Sequence, residues 1–184
     1  MEETFAPVEE KLKAAEYFLN KLKELEKNAR HLSSADPFLT RVNLDGLFFE
    51  VIASKDLFLQ VVNKLFNAGL RSGEVNEDKL FTSNIEQKAK DAVLKIKRLF
   101  SDESSWLKRL NNYRNVTSHR ALLSRHIKIE LRVGTSGEPP RSIHLFLDPD
   151  DPSKGAYPQE IIPYCEESLK KMREFLEELY TNIQ

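Results

Sequence analysis

The chain has 184 residues and 21.3 kDa, is 40% hydrophobic and 31% charged, and sets 28 Lys+Arg against 29 Asp+Glu. Six Gly and eight Pro are too few for a collagen-like or low-complexity chain, and the apolar fraction is too high for a disordered one. A single cysteine, Cys165, excludes an intrachain disulfide framework and a multi-cysteine zinc site.

The first predicted element is a helix on which Val8, Leu12, Ala15, Leu19, Leu22, Leu25 and Ala29 recur every three to four residues. The cluster Ser33-Ser34-Ala35-Asp36-Pro37 breaks it. A longer helix follows from about Asn43 to Asn67, apolar around much of its circumference, as a helix buried between several others should be. Gly69 is a stop signal, and the polar stretch Arg71–Lys79 reads as a loop. Ser83-Asn84-Ile85-Glu86 has capping-box spacing and opens a third helix with Ile85, Ala89, Val93, Ile96 and Leu99 on one face. Ser101–Ser105 offers caps for a fourth, from about Trp106 past His119.

The period then changes from helical to alternating. Ile127, Ile129, Leu131 and Val133, then Ile143, Leu145 and Leu147, predict a β-hairpin with a long tip over about 126–148. Asp148–Pro158 reads as a loop. A last helix from about Gln159 puts Ile162, Cys165, Leu169, Met172, Leu176 and Leu179 at core spacing, with Cys165 a buried small apolar residue. The expectation is one domain over 1–184 with about five helices and one hairpin. No apolar run reaches the ~18 residues of a membrane span, and the opening MEETFAPVEE lacks the features of a secretory signal, so a soluble, cytoplasmic protein is expected.

Charge is unevenly distributed. Residues 88–132 hold twelve Lys/Arg against four Asp/Glu, a local +8 in a chain of net charge -1. This is either a solvated helix face or the electrostatic footprint of a polyanion partner.

One segment within it combines chemistry unlike the rest: Asn112-Tyr113-Arg114-Asn115-Val116-Thr117-Ser118-His119-Arg120. Arg114 and His119 are separated by about 7.5 Å of helical rise, short enough for both side chains to reach one phosphate. Asn115 and His119 are four apart and share a helix face. Arginine is a permanent cation that forks onto phosphate oxygens, and histidine exchanges protons near neutrality. His31 and His144 lack partners at metal-ligand spacing, and no glycine-rich phosphate loop or serine-nucleophile motif occurs. No metal site and no cofactor are expected.

The stretch RNVTSH resembles the Arg-x4–6-His motif of the HEPN superfamily, in its common form Arg-Asn-x-x-x-His. The loose form also fits Arg120 and His126, but requiring Asn directly after Arg at the single spacing Arg-Asn-x-x-x-His reduces chance coincidence to about one or two in a hundred. The run Leu44–Asn63, with Glu50 and Asp56 among apolar residues, is similar to the second helix of a prokaryotic HEPN subfamily. Its motif helix likewise begins with Trp and reads much like WLKRLNNYRNVTSHR. The resemblance implies a mainly α fold, an antiparallel helical bundle with the hairpin inserted before the C-terminal helix. It implies a metal-independent endoribonuclease whose two protomers join their motifs in one cleft, or a non-catalytic relative that dimerises and binds RNA, a nucleotide or a protein.

Carried onto this sequence, Arg114, Asn115 and His119 are the candidate catalytic residues. His119 is the general acid or base, Arg114 stabilises transition-state charge, and Asn115 orients the phosphate or His119. Glu50 is a supporting residue that assists the motif or holds Arg114 in a salt bridge. Lys108, Arg109, Arg120 and Arg125 are candidate phosphate contacts, and Tyr113 is either a candidate for stacking on a base or a packed tyrosine with its hydroxyl at the surface. The expected partners are RNA, a second copy of the chain, and an antitoxin or regulatory protein, with no membrane. One departure is Ala121, two residues after the His, where family toxins controlled by nucleotidyl transfer carry Tyr. That form of control is not expected here.

Overall fold

A computed structural model describes residues 4–29, 35–119, 125–130, 141–147 and 156–184, with the backbone alone for 117–119 and for the strand residues up to 159. The described residues are mainly helical and form a bundle of six helices. Helix α1 (Ala6–Asn28) buries Val8, Leu12, Ala15, Leu19 and Leu22, the stripe its periodicity predicts. It lies along α2 (Pro37–Leu65), the longest helix at 29 residues.

Helix α2 starts six residues before the expected Asn43. The cluster around Asp36-Pro37 acts as an initiator as well as a break. The Asp36 carboxylate accepts from the backbone N–H of Phe38 and Leu39, at 2.8 and 3.2 Å. Pro37 stands in the first turn, where a missing N–H leaves nothing unsatisfied. At the other end the left-handed residue just past the helix is Asn67 (φ 49°), followed by Gly69 (φ 73°). The Asn63 side chain then ties down the exit through the backbone of Leu70.

The expected loop Arg71–Lys79 contains a 3-10 turn at Ser72–Glu74 and the start of a short helix, α3 (Glu77–Thr82). Asn76 caps α3 by accepting from the Lys79 N–H at 2.9 Å. The anticipated capping box does not form. Ser83 donates its hydroxyl back to Leu80 at the end of α3, and Glu86 precedes α4 (Gln87–Ser101) without a side-chain cap. Ala89, Val93 and Ile96 are still buried, because the apolar stripe fixes which face of α4 turns inward whatever caps it.

Lys55 of α2 joins three helices. It is only 5% exposed, and its Nζ lies 2.6 Å from Asp56 Oδ1 and 2.7 Å from Glu77 Oε1 of α3. The same ammonium stands 4.4 Å from the centre of the Phe100 ring of α4. A buried cation needs compensating partners of this kind.

Helix α5 (Trp106–His119) begins where the serine caps predicted, with Ser105 Oγ accepting from the Lys108 N–H at 3.0 Å. Leu107, Leu110 and Tyr113 form its buried face. Beyond it, the backbone of β1 (Arg125–Glu130), β2 (Arg141–Leu147) and β3 (Ala156–Glu160) is paired antiparallel in the order β1-β2-β3. β3 occupies part of the expected Asp148–Pro158 loop, and Pro158 sits on this edge strand, where a missing N–H is tolerated. The expected hairpin tip falls largely on residues 131–140, which lie outside the described residues.

Helix α6 (Ile161–Ile183) closes the bundle, burying the expected Ile162, Cys165, Leu169, Met172, Leu176 and Leu179. Cys165 is fully buried, and that burial pushes its thiol pKa far above the ordinary range, so it is a packing residue with no accessible thiolate. No helix among the described residues is long and apolar enough to cross a membrane.

Candidate functional site

The site is built on two pairs of adjacent residues, Phe48-Phe49 on α2 and Tyr113-Arg114 on α5. Neighbours on a helix point about 100° apart, so two consecutive large side chains cannot share one face. Phe48 and Tyr113 are the inward members. Both are fully buried, and their rings stack with centroids 5.5 Å apart and planes 12° from parallel. Tyr164 of α6 meets Tyr113 edge-on at 5.6 Å. This three-ring cluster fixes how α5 sits on α2, and it determines where the outward members meet.

Those outward members are Phe49 and Arg114. The Phe49 ring is 47% exposed, with the Arg114 guanidinium carbon 5.9 Å from its centre. A second cation reaches the same ring from α1, with Lys11 Nζ 6.0 Å from the centroid. Lys11 is held by Glu50, the next residue on α2, at 2.8 Å to Oε2. The Glu50 salt bridge is thus made to α1. Nothing in the sequence sets Lys11 or Phe49 apart. Lys11 lies a hundred residues from the motif on a polar helix face, and Phe49 reads as one more core residue in an apolar helix.

The three motif residues share the C-terminal half of α5 as described, Trp106–His119. Arg114 and Asn115 are half-buried, and the His119 side chain lies outside the described residues. Lys108 and Arg109 are on the first turn, about 9 and about 7.5 Å of helical rise before Arg114. Arg120 and the Arg125 side chain are outside the described residues. Tyr113 is a packed core residue and not a stacking one: a fully buried ring stacked on Phe48 presents no face to a base, because its contact area is already used in the core.

The basic segment is also less bare than its count suggests. Lys95 pairs with Glu178 at 3.0 Å, Lys97 with Asp78 at 2.6 Å and Lys108 with Glu103 at 3.1 Å. Two of these acids come from outside residues 88–132, so folding offsets part of the local +8. All three pairs reach solvent and are weak enough for a stronger anion to displace. Among the described residues no cluster of three or more His, Cys, Asp or Glu could hold a metal ion. No protein-family model, curated protein or solved structure matches the chain.

Proposed function

We propose that this chain is a metal-independent endoribonuclease of HEPN type, its helical bundle carrying a hairpin excursion between α5 and α6. The observation that carries the reading is the sequence Arg114-Asn115-x-x-x-His119 on the closing turns of a late helix docked against a long second helix. The nucleophile is the RNA's own 2'-OH. It attacks the adjacent phosphorus, the bond from phosphorus to the 5'-oxygen breaks, and the ends left are a 2',3'-cyclic phosphate and a 5'-hydroxyl. One imidazole accepts the 2'-OH proton and another protonates the leaving oxygen. Arg114 neutralises charge building on the phosphoryl oxygens, and Asn115 orients the phosphate or His119.

Base and acid must stand on opposite sides of the scissile phosphate, so two His119 side chains related by a dyad serve better than one. The homodimer this requires is supported by Phe38, Leu39 and Val42, large apolar residues exposed together near the start of α2. A toxin or defence effector fits such an activity, with an antitoxin or regulatory protein as its controlling partner.

The test incubates purified protein with a mixed RNA pool and EDTA beside His119→Ala. Cleavage survives chelation, and the variant loses about 100- to 10,000-fold. A purified dimer of one wild-type and one His119→Ala subunit keeps far less than half of the activity. Cleavage abolished by EDTA and restored by Mg2+ rejects this mechanism.

The second reading is a non-catalytic HEPN module that dimerises and binds RNA, a nucleotide or a protein. The Arg114 guanidinium lying against Phe49 favours it, since a half-buried arginine packed on a ring also serves as a structural contact. RNA binding that falls steeply with salt, without cleavage, selects this reading.

A further inference from the structure

We propose that Phe49 is a stacking platform for one unpaired RNA base, with Lys11 and Arg114 taking the phosphates on either side of it. This rests on the reading of RNA as the ligand, and it adds the residues that select single-stranded RNA at that site. Phe49 keeps 47% of its surface in water although Phe48 beside it is fully buried. Two cations from two other helices converge on this exposed ring, Lys11 at 6.0 Å and Arg114 at 5.9 Å. An aromatic face flanked by cations is the combination that recognises a nucleotide, because the ring stacks on the base while the cations meet the backbone.

Glu50 positions Lys11 by its 2.8 Å ion pair, and α1 brings that lysine to the ring from a part of the chain far from the motif. On binding, the flexible lysine stem exchanges the ring for a phosphate oxygen, and the vacated face receives the base. Arg114 then bridges the platform to the scissile phosphate, so that the stacked base neighbours the cut. A base held in a duplex cannot offer its face to Phe49. The platform therefore favours loops, bulges and single strands, with little preference among the four bases. A protein surface is the weaker fit for this ring, since a dry interface would have to desolvate both cations.

The probe is a 2'-O-methyl RNA oligonucleotide containing 2-aminopurine, which lacks the attacking hydroxyl and stays intact. Affinity is read by anisotropy and stacking by 2-aminopurine quenching, with sedimentation run on each variant. Phe49→Leu keeps most of the apolar volume and weakens single-strand binding about tenfold, while Phe49→Trp retains both affinity and quenching. The same oligonucleotide annealed to its complement binds wild type at least about tenfold more weakly. Binding by Phe49→Leu equal to wild type, with Lys108→Glu/Arg109→Glu impaired, overturns the platform and leaves the RNA reading standing. A loss in Phe49→Leu that accompanies dissociation of a dimer overturns it in favour of a subunit seam. A wild-type protein that binds neither form overturns both readings together.

Discussion

Helix α2 carries two cation–aromatic clusters, one at Lys55 and the other at Phe49, and they differ in what surrounds them. At Lys55 the cation is on α2, the ring is Phe100 of α4 at 4.4 Å, and two carboxylates lie within 2.7 Å. At Phe49 the ring is on α2, and the cations come from α1 and α5 at 6.0 and 5.9 Å. In the first cluster the ammonium is buried between two carboxylates, so its lysine cannot leave without stranding the mostly buried Glu77. The second has a ring open to solvent and cations long enough to swing onto another anion. Similar chemistry is structural in one place and available in the other because burial removes the choice of partner.

The largest expected effect separates the clusters by function. Arg114→Ala should reduce RNA cleavage at least about 100-fold, the scale of losing one charge-stabilising donor. Its melting temperature should stay near wild type, because Tyr113 and Phe48 retain the docking of α5. An Arg114 variant that unfolded readily would place it with Lys55 among the structural residues.

Lys55→Met should destabilise the fold by about 3 kcal/mol, read from the urea midpoint, because it strands Glu77 beside an apolar side chain. Asp56 is exposed and finds water, which keeps the loss from being larger. A change below about 0.5 kcal/mol would put this pair with ordinary surface ion pairs and erase the contrast.

Gly46→Ala sharpens the comparison by disturbing the approach of α1 to α2, on which Lys11 depends. A Cβ at Gly46 would lie 2.7 Å from two atoms of the Phe18 ring. Overpacking of this kind costs ~1–3 kcal/mol, while alanine regains ~1 kcal/mol of helix propensity. The net expected loss is about 1 kcal/mol by chemical denaturation, with weaker RNA binding as α1 shifts. A stabilised Gly46→Ala would mean that Phe18 yields freely.

Glu50→Gln should have the smallest effect. It replaces a mostly buried carboxylate with a neutral amide whose oxygen can still accept from Lys11, and should change stability by less than about 1 kcal/mol. RNA affinity should rise about twofold, since a carboxylate is removed beside the phosphate path. Lower affinity would mean that fixing Lys11 outweighs the repulsion.

The sequence by itself determined the helical bundle, because the inward faces of α1, α4 and α6 are written as three-to-four-residue apolar spacing, a local property of each segment. It also located the motif helix and its serine cap, since Ser105, Trp106 and Arg114 are read within single turns. It misplaced the start of α2 and missed α3, where Asp36-Pro37 and Asn76 cap helices inside stretches whose polar composition looked like loop. What only the tertiary structure decided was direction. Phe48 and Phe49 are indistinguishable in composition, and the docking of Tyr113 turned one into the core and left the other outside. The acids that offset Lys95 and Lys97 lie on α6 and α3, and the lysine that reaches Phe49 lies on α1. Periodicity fixes which face of a helix is apolar, but the crossing of one helix over another fixes which distant side chains meet, and that crossing is set by packing between segments far apart in the chain.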